Sequence, residues 1–243
     1  MNWPIPAVVG ASALAICASS LAQSDVEAFR KCFNSTIPQQ VVDGCSAIIK
    51  AGTAESEDLA AAFKDRGVAY DDLGQHELSL QDFDRAIAMN SDDWDVYNSR
   101  GTTQTALKRY DLAVEDFDRS IKLNPSGHVT YSNRCFAKAL LGDRQGALVD
   151  CDAALRLKAG SPSGLAARGF VKLLLKQYDA AIADYDAALK IRSDDPYSLY
   201  GRGAAKFKKD DLKGADADVV QAQVLKPDIA EYMAGLGIQL GTL

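Results

Sequence analysis

The side chains able to do chemistry are few, and their spacing points to cross-links and ion pairs rather than to turnover. The chain of 243 residues contains two histidines, His76 and His128, each near the start of a helical pattern in polar surroundings, where a solvated role is expected. No GxSxG, P-loop or HExxH sequence occurs, so an activated serine, a phosphate cradle and a zinc-bound water all lack a foothold. Asp71-Asp72, Asp92-Asp93, Asp194-Asp195 and Asp210-Asp211 lack the ligand spacing of a calcium loop, and several stand at helix starts, where a carboxylate caps free amides. No catalytic residue, cofactor or metal is assigned, and the chain is read as a non-enzyme.

The cysteines offer a different chemistry. Cys32 and Cys45 lie thirteen residues apart on successive helical patterns, where they either bridge and tie down a terminal unit or remain two buried thiols. Cys135 and Cys151 either bridge or act as a reduced pair that exchanges volume between two helices. No CxxC spacing or neighbouring histidine gives any of them a catalytic or metal role. The fifth, Cys17, lies in an uncharged stretch, residues 1–24, that has the layout of a secretory signal. Ser20 and Ala22 suit cleavage after residue 22, although no Lys or Arg precedes the apolar run; an uncleaved anchor and an ordinary buried helix are the other readings of residues 1–22. Cleavage would leave an even number of cysteines, which fits an oxidising compartment, so an exported chain without membrane insertion is expected. A net charge of −6 argues against nucleic acid as the partner.

Charged residues recur with a strict period. Arg66, Arg100, Arg134, Arg168 and Arg202 fall 34 residues apart, each followed by Gly67, Gly101, Cys135, Gly169 or Gly203. Asp82, Asp116, Asp150, Asp184 and Asp218 keep the same period sixteen residues later. So do the small residues Ser79, Ala113, Ala147, Ala181 and Ala215, and the aromatics Phe83, Phe117 and Tyr185, replaced elsewhere by Cys151 and Val219. Within a copy the apolar spacing is helical, as at Ala181, Tyr185, Ala188 and Leu189. Short breaks such as Leu73-Gly74-Gln75 separate two helices, and Pro125 and Pro227 follow stops between copies. Each unit is therefore a helix–turn–helix whose apolar face is buried only by stacking on its neighbours. An antiparallel hairpin brings each Arg roughly level with its Asp, so a structural Arg–Asp ladder within or between units is expected, with a binding stripe as the other reading.

A 34-residue helix–turn–helix with Gly, small, aromatic and Ala columns and a terminal Pro resembles the tetratricopeptide repeat family, and exported bacterial members in particular. The resemblance implies an all-α, right-handed solenoid: five repeats over 55–227, a degenerate N-terminal helical hairpin over 25–52 and a capping helix over 228–243. It departs at the family's tyrosine position, which reads Tyr70, Gln104, Lys138, Lys172 and Lys206. The family's first helices line a concave groove, which implies groove positions at Lys64, Asn98, Thr102, Ser132, Phe136, Phe170, Leu173, Tyr200 and Phe207, polar at first and apolar-aromatic from the third repeat. Of the family's carboxylate clamp only Lys64 and Asn98 match, both in one column. The implied role is a periplasmic or secreted scaffold holding a partner's peptide or helix in that groove. The alternative is a structural or regulatory subunit of an envelope enzyme, binding through its convex face or end cap.

Overall fold

In the computed structural model, residues 24–52 and 54–240 are described, and the signal segment expected at 1–22 lies outside them. The described residues form helices without strands: α1 (residues 24–34), α2 (Pro38–Ala51), α3 (Ser56–Asp72), α4 (His76–Met89), α5 (Trp94–Ala106), α6 (Tyr110–Leu123), α7 (His128–Leu141), α8 (Arg144–Leu157), α9 (Pro162–Leu174), α10 (Tyr178–Ile191), α11 (Pro196–Phe207), α12 (Leu212–Leu225) and α13 (Ile229–Gly235). They divide into two compact units, one ending at Ser99 and one beginning at Arg100.

Local chemistry sets the helix ends. Pro38, Pro162 and Pro196 open α2, α9 and α11, where a missing N–H costs nothing. Asp143, Asp195 and Asp211 each accept the N–H three residues on, at 2.9–3.0 Å, so those acidic residues act as caps. The turn inside each helix pair uses one left-handed residue at the same repeat position: Gly74, Lys108, Gly142, Lys176 and Asp210, with φ between 60° and 103°. Only two of the five are glycine. The turn geometry is thus imposed by the packing of the two helices even where a side chain opposes it.

In the unit ending at Ser99, α2 packs on α3 and α3 on α4. Cys32, Val41, Cys45, Ile48, Ala62 and Ala69 make one core cluster, and Phe83, Ala86 and Val96 another. Cys32 and Cys45 stand at disulfide distance, with Cα atoms 4.6 Å apart. In the unit from Arg100, α6 to α12 pack consecutively, and the largest core runs from Cys135 to Ile238.

Within a pair, the glycine column decides how closely the helices approach. A Cβ on Gly67 would lie 2.8 Å from the Phe83 ring, and one on Gly101 equally close to Phe117. Phe83 and Phe117 fill that gap and are fully buried. In the third copy both positions are cysteine: Cys135 and Cys151 are completely buried at disulfide distance, their Cα atoms 5.4 Å apart. A sulfur pair there occupies the space that the glycine–aromatic contact fills elsewhere.

The C-terminal element is shorter than the expected helix over 228–243. It stops at Gly235, and Gly237 takes φ 84°. The Ile238 N–H then returns to the Met233 carbonyl at 3.0 Å, closing the helix before Gln239.

Left-handed lysine costs roughly 1–2 kcal/mol relative to glycine's freedom there, and glycine returns part of that through unfolded-state entropy. Lys176→Gly is therefore expected to stabilise the protein by about 0.5–1 kcal/mol, read as a higher urea midpoint at unchanged slope. An unchanged midpoint would show that the turn is not strained.

Candidate binding groove

The arginine column is fully engaged. Arg66 donates from Nε and Nη2 to the two carboxylate oxygens of Asp82 at 2.7 and 2.8 Å. The same two-pronged contact joins Arg100 to Asp116, Arg134 to Asp150, Arg168 to Asp184 and Arg202 to Asp218. The five carboxylates are 3–5% exposed, so each needs its cation. Hydrogen bonds donated to Asp82, Asp184 and Asp218 hold the guanidinium groups of Arg66, Arg168 and Arg202 above their ordinary pKa, against burial.

Two further columns complete this network, and both were present in the sequence at the same period without being assigned a role. The third guanidinium nitrogen reaches back to the preceding pair: Arg134 to Asp118 at 2.6 Å, Arg168 to Asp152 at 2.9 Å and Arg202 to Asp186 at 2.7 Å. In the first repeat, Arg66 instead donates to the Ser46 hydroxyl at 3.0 Å. Lys138, Lys172 and Lys206, at the family's tyrosine position, bind Asp150, Asp184 and Asp218 at 2.6–2.8 Å. Arg66 lacks that lysine and lies over the Tyr70 ring, 5.6 Å from its centre. The ladder thus links helices within pairs and, at these positions, between successive pairs.

The expected groove residues divide. Lys64 sits 3.4 Å from Asp93 and 3.6 Å from Asp95; burial opposes its charge, but those carboxylates and Asp65 hold its pKa above the ordinary value. Asn98 is half-buried nearby in sequence on α5. In the unit from Arg100, α7 packs on α9 and α9 on α11, so these first helices line one inner face. Thr102 is exposed there, while Phe136 and Phe207 are half-buried. Ser132 is buried and donates to the His128 carbonyl in its own helix.

Phe170, Leu173 and Tyr200 are buried in the same core as Ile229, Met233 and Ile238. The C-terminal segment thus joins the core that contains these expected groove residues. Phe170 also packs against Phe136, ring centres 5.0 Å apart, and Tyr232 of α13 meets Tyr197 edge-on at 5.3 Å. Two cavities remain beside α13. One of about 570 Å³ lies between α13 and side chains of α5, α6 and α7, including Thr102, Thr105, Phe117, Phe136 and Leu140. The other, about 250 Å³, faces Ala166, Phe170 and Tyr197.

Among the described residues no cluster of His, Cys, Asp or Glu is placed to hold a metal ion, and no helix is long and apolar enough to cross a membrane. His76 lies 2.8 Å from Asp71.

Comparison with known proteins bears on the fold. Models of the tetratricopeptide repeat match residues 65–93 and 94–126, and a TPR repeat model matches 171–210. No curated protein matches the sequence. A solved tetratricopeptide repeat protein from Parabacteroides merdae is similar at TM-score 0.67 and 17% identity, over 88% of this chain and 89% of its own. TTC0263, a thermophilic TPR protein of Thermus thermophilus, gives 0.64 and 22%, over 73% and 97%. YrrB, described as a TPR protein with an unusual peptide-binding site, gives 0.52 and 14%, over 80% and 98%.

The missing lysine beside Arg66 yields an unequal pair of substitutions. Arg66→Ala strands the buried Asp82 carboxylate and is expected to cost about 3–5 kcal/mol. Arg168→Ala leaves Lys172 on Asp184 and is expected to cost about 1.5–3 kcal/mol. Urea unfolding followed by circular dichroism measures both, and equal losses would contradict the assignment of Lys172.

Proposed function

The chain is a tetratricopeptide repeat protein and a protein-interaction scaffold, and we propose that it holds a partner's polypeptide segment on the inner face of its first helices without catalysing a reaction. The observation that carries this reading is the mixed surface beside α13 in the unit from Arg100. There Phe136, Leu140, Tyr232 and Leu236 adjoin the polar side chains of Thr102, Thr105 and Asn133 around a cavity of about 570 Å³. Concave apolar surface with a few polar groups is what recognises a polypeptide segment. The peptide-binding description of YrrB, a protein of the same fold, favours the same use. Lys64 is paired with acidic neighbours, which argues against a carboxylate clamp in the N-terminal unit.

The test is photo-crosslinking in intact cells from a benzoylphenylalanine placed at Thr105, with Arg156 on the outer helix α8 as control. A discrete protein adduct from position 105, lost on Phe136→Asp, is expected. Adducts from position 156 alone would favour attachment through the convex face. A second reading, a subunit of an envelope enzyme bound through that face or the end cap, draws on Val220 and Val224, 51% and 77% exposed one turn apart on α12.

The same reading places the chain in an oxidising, exported setting, periplasmic or secreted. Its support is the signal-like composition of residues 1–22 and two cysteine pairs at disulfide distance. Intact-mass spectrometry of the protein from its native cells is expected to show a chain starting at Gln23 with no free thiol. A retained N-terminus would refute cleavage after residue 22, and four alkylatable cysteines would refute the oxidising setting.

A further inference from the structure

We propose that the cleft of about 250 Å³ bordered by α7, α9, α10 and α13 binds a small uncharged aromatic compound with an oxygen acceptor, of acetophenone size, through a hydrogen bond from the Tyr185 hydroxyl. This goes beyond the groove reading and does not depend on it.

Tyr185 carries the inference. Its column holds Phe83 and Phe117 in the first two repeats, so packing requires only a ring there. Tyr185 adds a hydroxyl, and the chain makes room for it. A Cβ on Gly201 would collide with that oxygen, whereas the equivalent positions of the preceding repeats hold Asp65, Ser99, Asn133 and Ala167. The residue is 2% exposed, yet its hydroxyl bonds to no described residue. Nor is the oxygen sealed in, since among the described residues the enclosed, unpartnered side-chain atoms belong to Gln104, His128 and Ser198. A hydroxyl without a partner is costly where phenylalanine would serve, and this one belongs to the wall of the cleft. Burial, with the charges of Asp184 and Asp195, pushes its pKa far up, so it stays protonated and offers a donor.

The rest of the lining selects the rest of the ligand. Phe136 and Phe170 meet with ring centres 5.0 Å apart, and Tyr197 and Tyr232 at 5.3 Å, tilted arrangements that a further aromatic ring can join. The charged groups at the cleft, Arg192 and Asp195, pair with each other at 2.9 Å. The second Asp195 oxygen accepts the Ser198 N–H at 2.9 Å. The pair carries no net charge, so neither an anion nor a cation gains a surplus of attraction. One side of the cleft opens to solvent, so its volume sets no upper limit on the ligand. It does exceed the roughly 150 Å³ that encloses a benzene ring.

The test is an NMR titration of the whole protein, labelled at its methionine methyl groups, with acetophenone. Met233 lines the cleft, while Met89 lies in the unit ending at Ser99 and serves as reference. A saturating shift of Met233 with a Kd of about 0.1–1 mM is expected. Tyr185→Phe is expected to weaken binding about tenfold and to leave the urea midpoint unchanged or raised. Ala166→Leu, which adds bulk to the lining, should weaken it at least as much, and toluene, lacking the acceptor, should bind the native chain and Tyr185→Phe alike. Equal affinity of acetophenone for Tyr185→Phe would overturn the proposal. A lowered urea midpoint in that variant would do so too, because the hydroxyl would then have a structural partner. Tighter binding of phenylacetate or benzylamine would show a charged site and reject the ligand class, and no saturable shift of Met233 would reject the site. The crosslink from position 105 reports on the groove separately, so either reading can fail alone.

Discussion

Five buried carboxylates, each 3–5% exposed, are tolerated only because arginine meets them with two parallel hydrogen bonds. That requirement fixes the separation and rotation of the two helices in a pair. The remaining guanidinium nitrogen then orients the pair before it, as Arg134, Arg168 and Arg202 do through Asp118, Asp152 and Asp186. Ion pairs of this burial are weak evidence for stability when compared with an apolar substitute. Their value here is geometric: apolar stacking tolerates sliding, whereas a forked contact with three fixed acceptors does not. The glycine–aromatic contact works in the same direction, since a ring lodged against Gly67 or Gly101 leaves no room for a different register.

Much of this was legible in the sequence because it repeats. A period of 34 exposes any column that matters five times over, and the Arg, Asp, Gly and aromatic columns all have one structural meaning. Lys138, Lys172 and Lys206 were equally regular, yet they read as departures from a family tyrosine rather than as a second cation for the same carboxylate. Asp118, Asp152 and Asp186 were overlooked because their partner is in the following repeat, at a distance that a single hairpin does not bring together. The left-handed lysines were hidden for a different reason. Glycine marks a positive φ in sequence, and Lys108 and Lys176 adopt it under packing alone.

The groove was the least legible part. Repeat position indicates which residues face inward, but it does not show that Phe170, Leu173 and Tyr200 share one core with Ile229, Met233 and Ile238. Met233 and Ile238 keep the period-34 columns of Leu199 and Ala204, but the left-handed Gly237 at the glycine column follows an α13 that has already stopped at Gly235, where earlier first helices continue.

The ladder also has chemically distinct ends. Ser46 takes the place of an acceptor before Arg66, and after Arg202 the register positions for the next acid and the next arginine hold Val220 and Leu236. A duplicated block inserted between Arg134 and Arg202 would carry its own acid and its own base and could join the run. One appended beyond Leu225 would lack only the acid that the third guanidinium nitrogen reaches in the preceding pair, where Val220 stands. Such a copy would stand as the first repeat does, where Arg66 finds the Ser46 hydroxyl in place of a preceding acid.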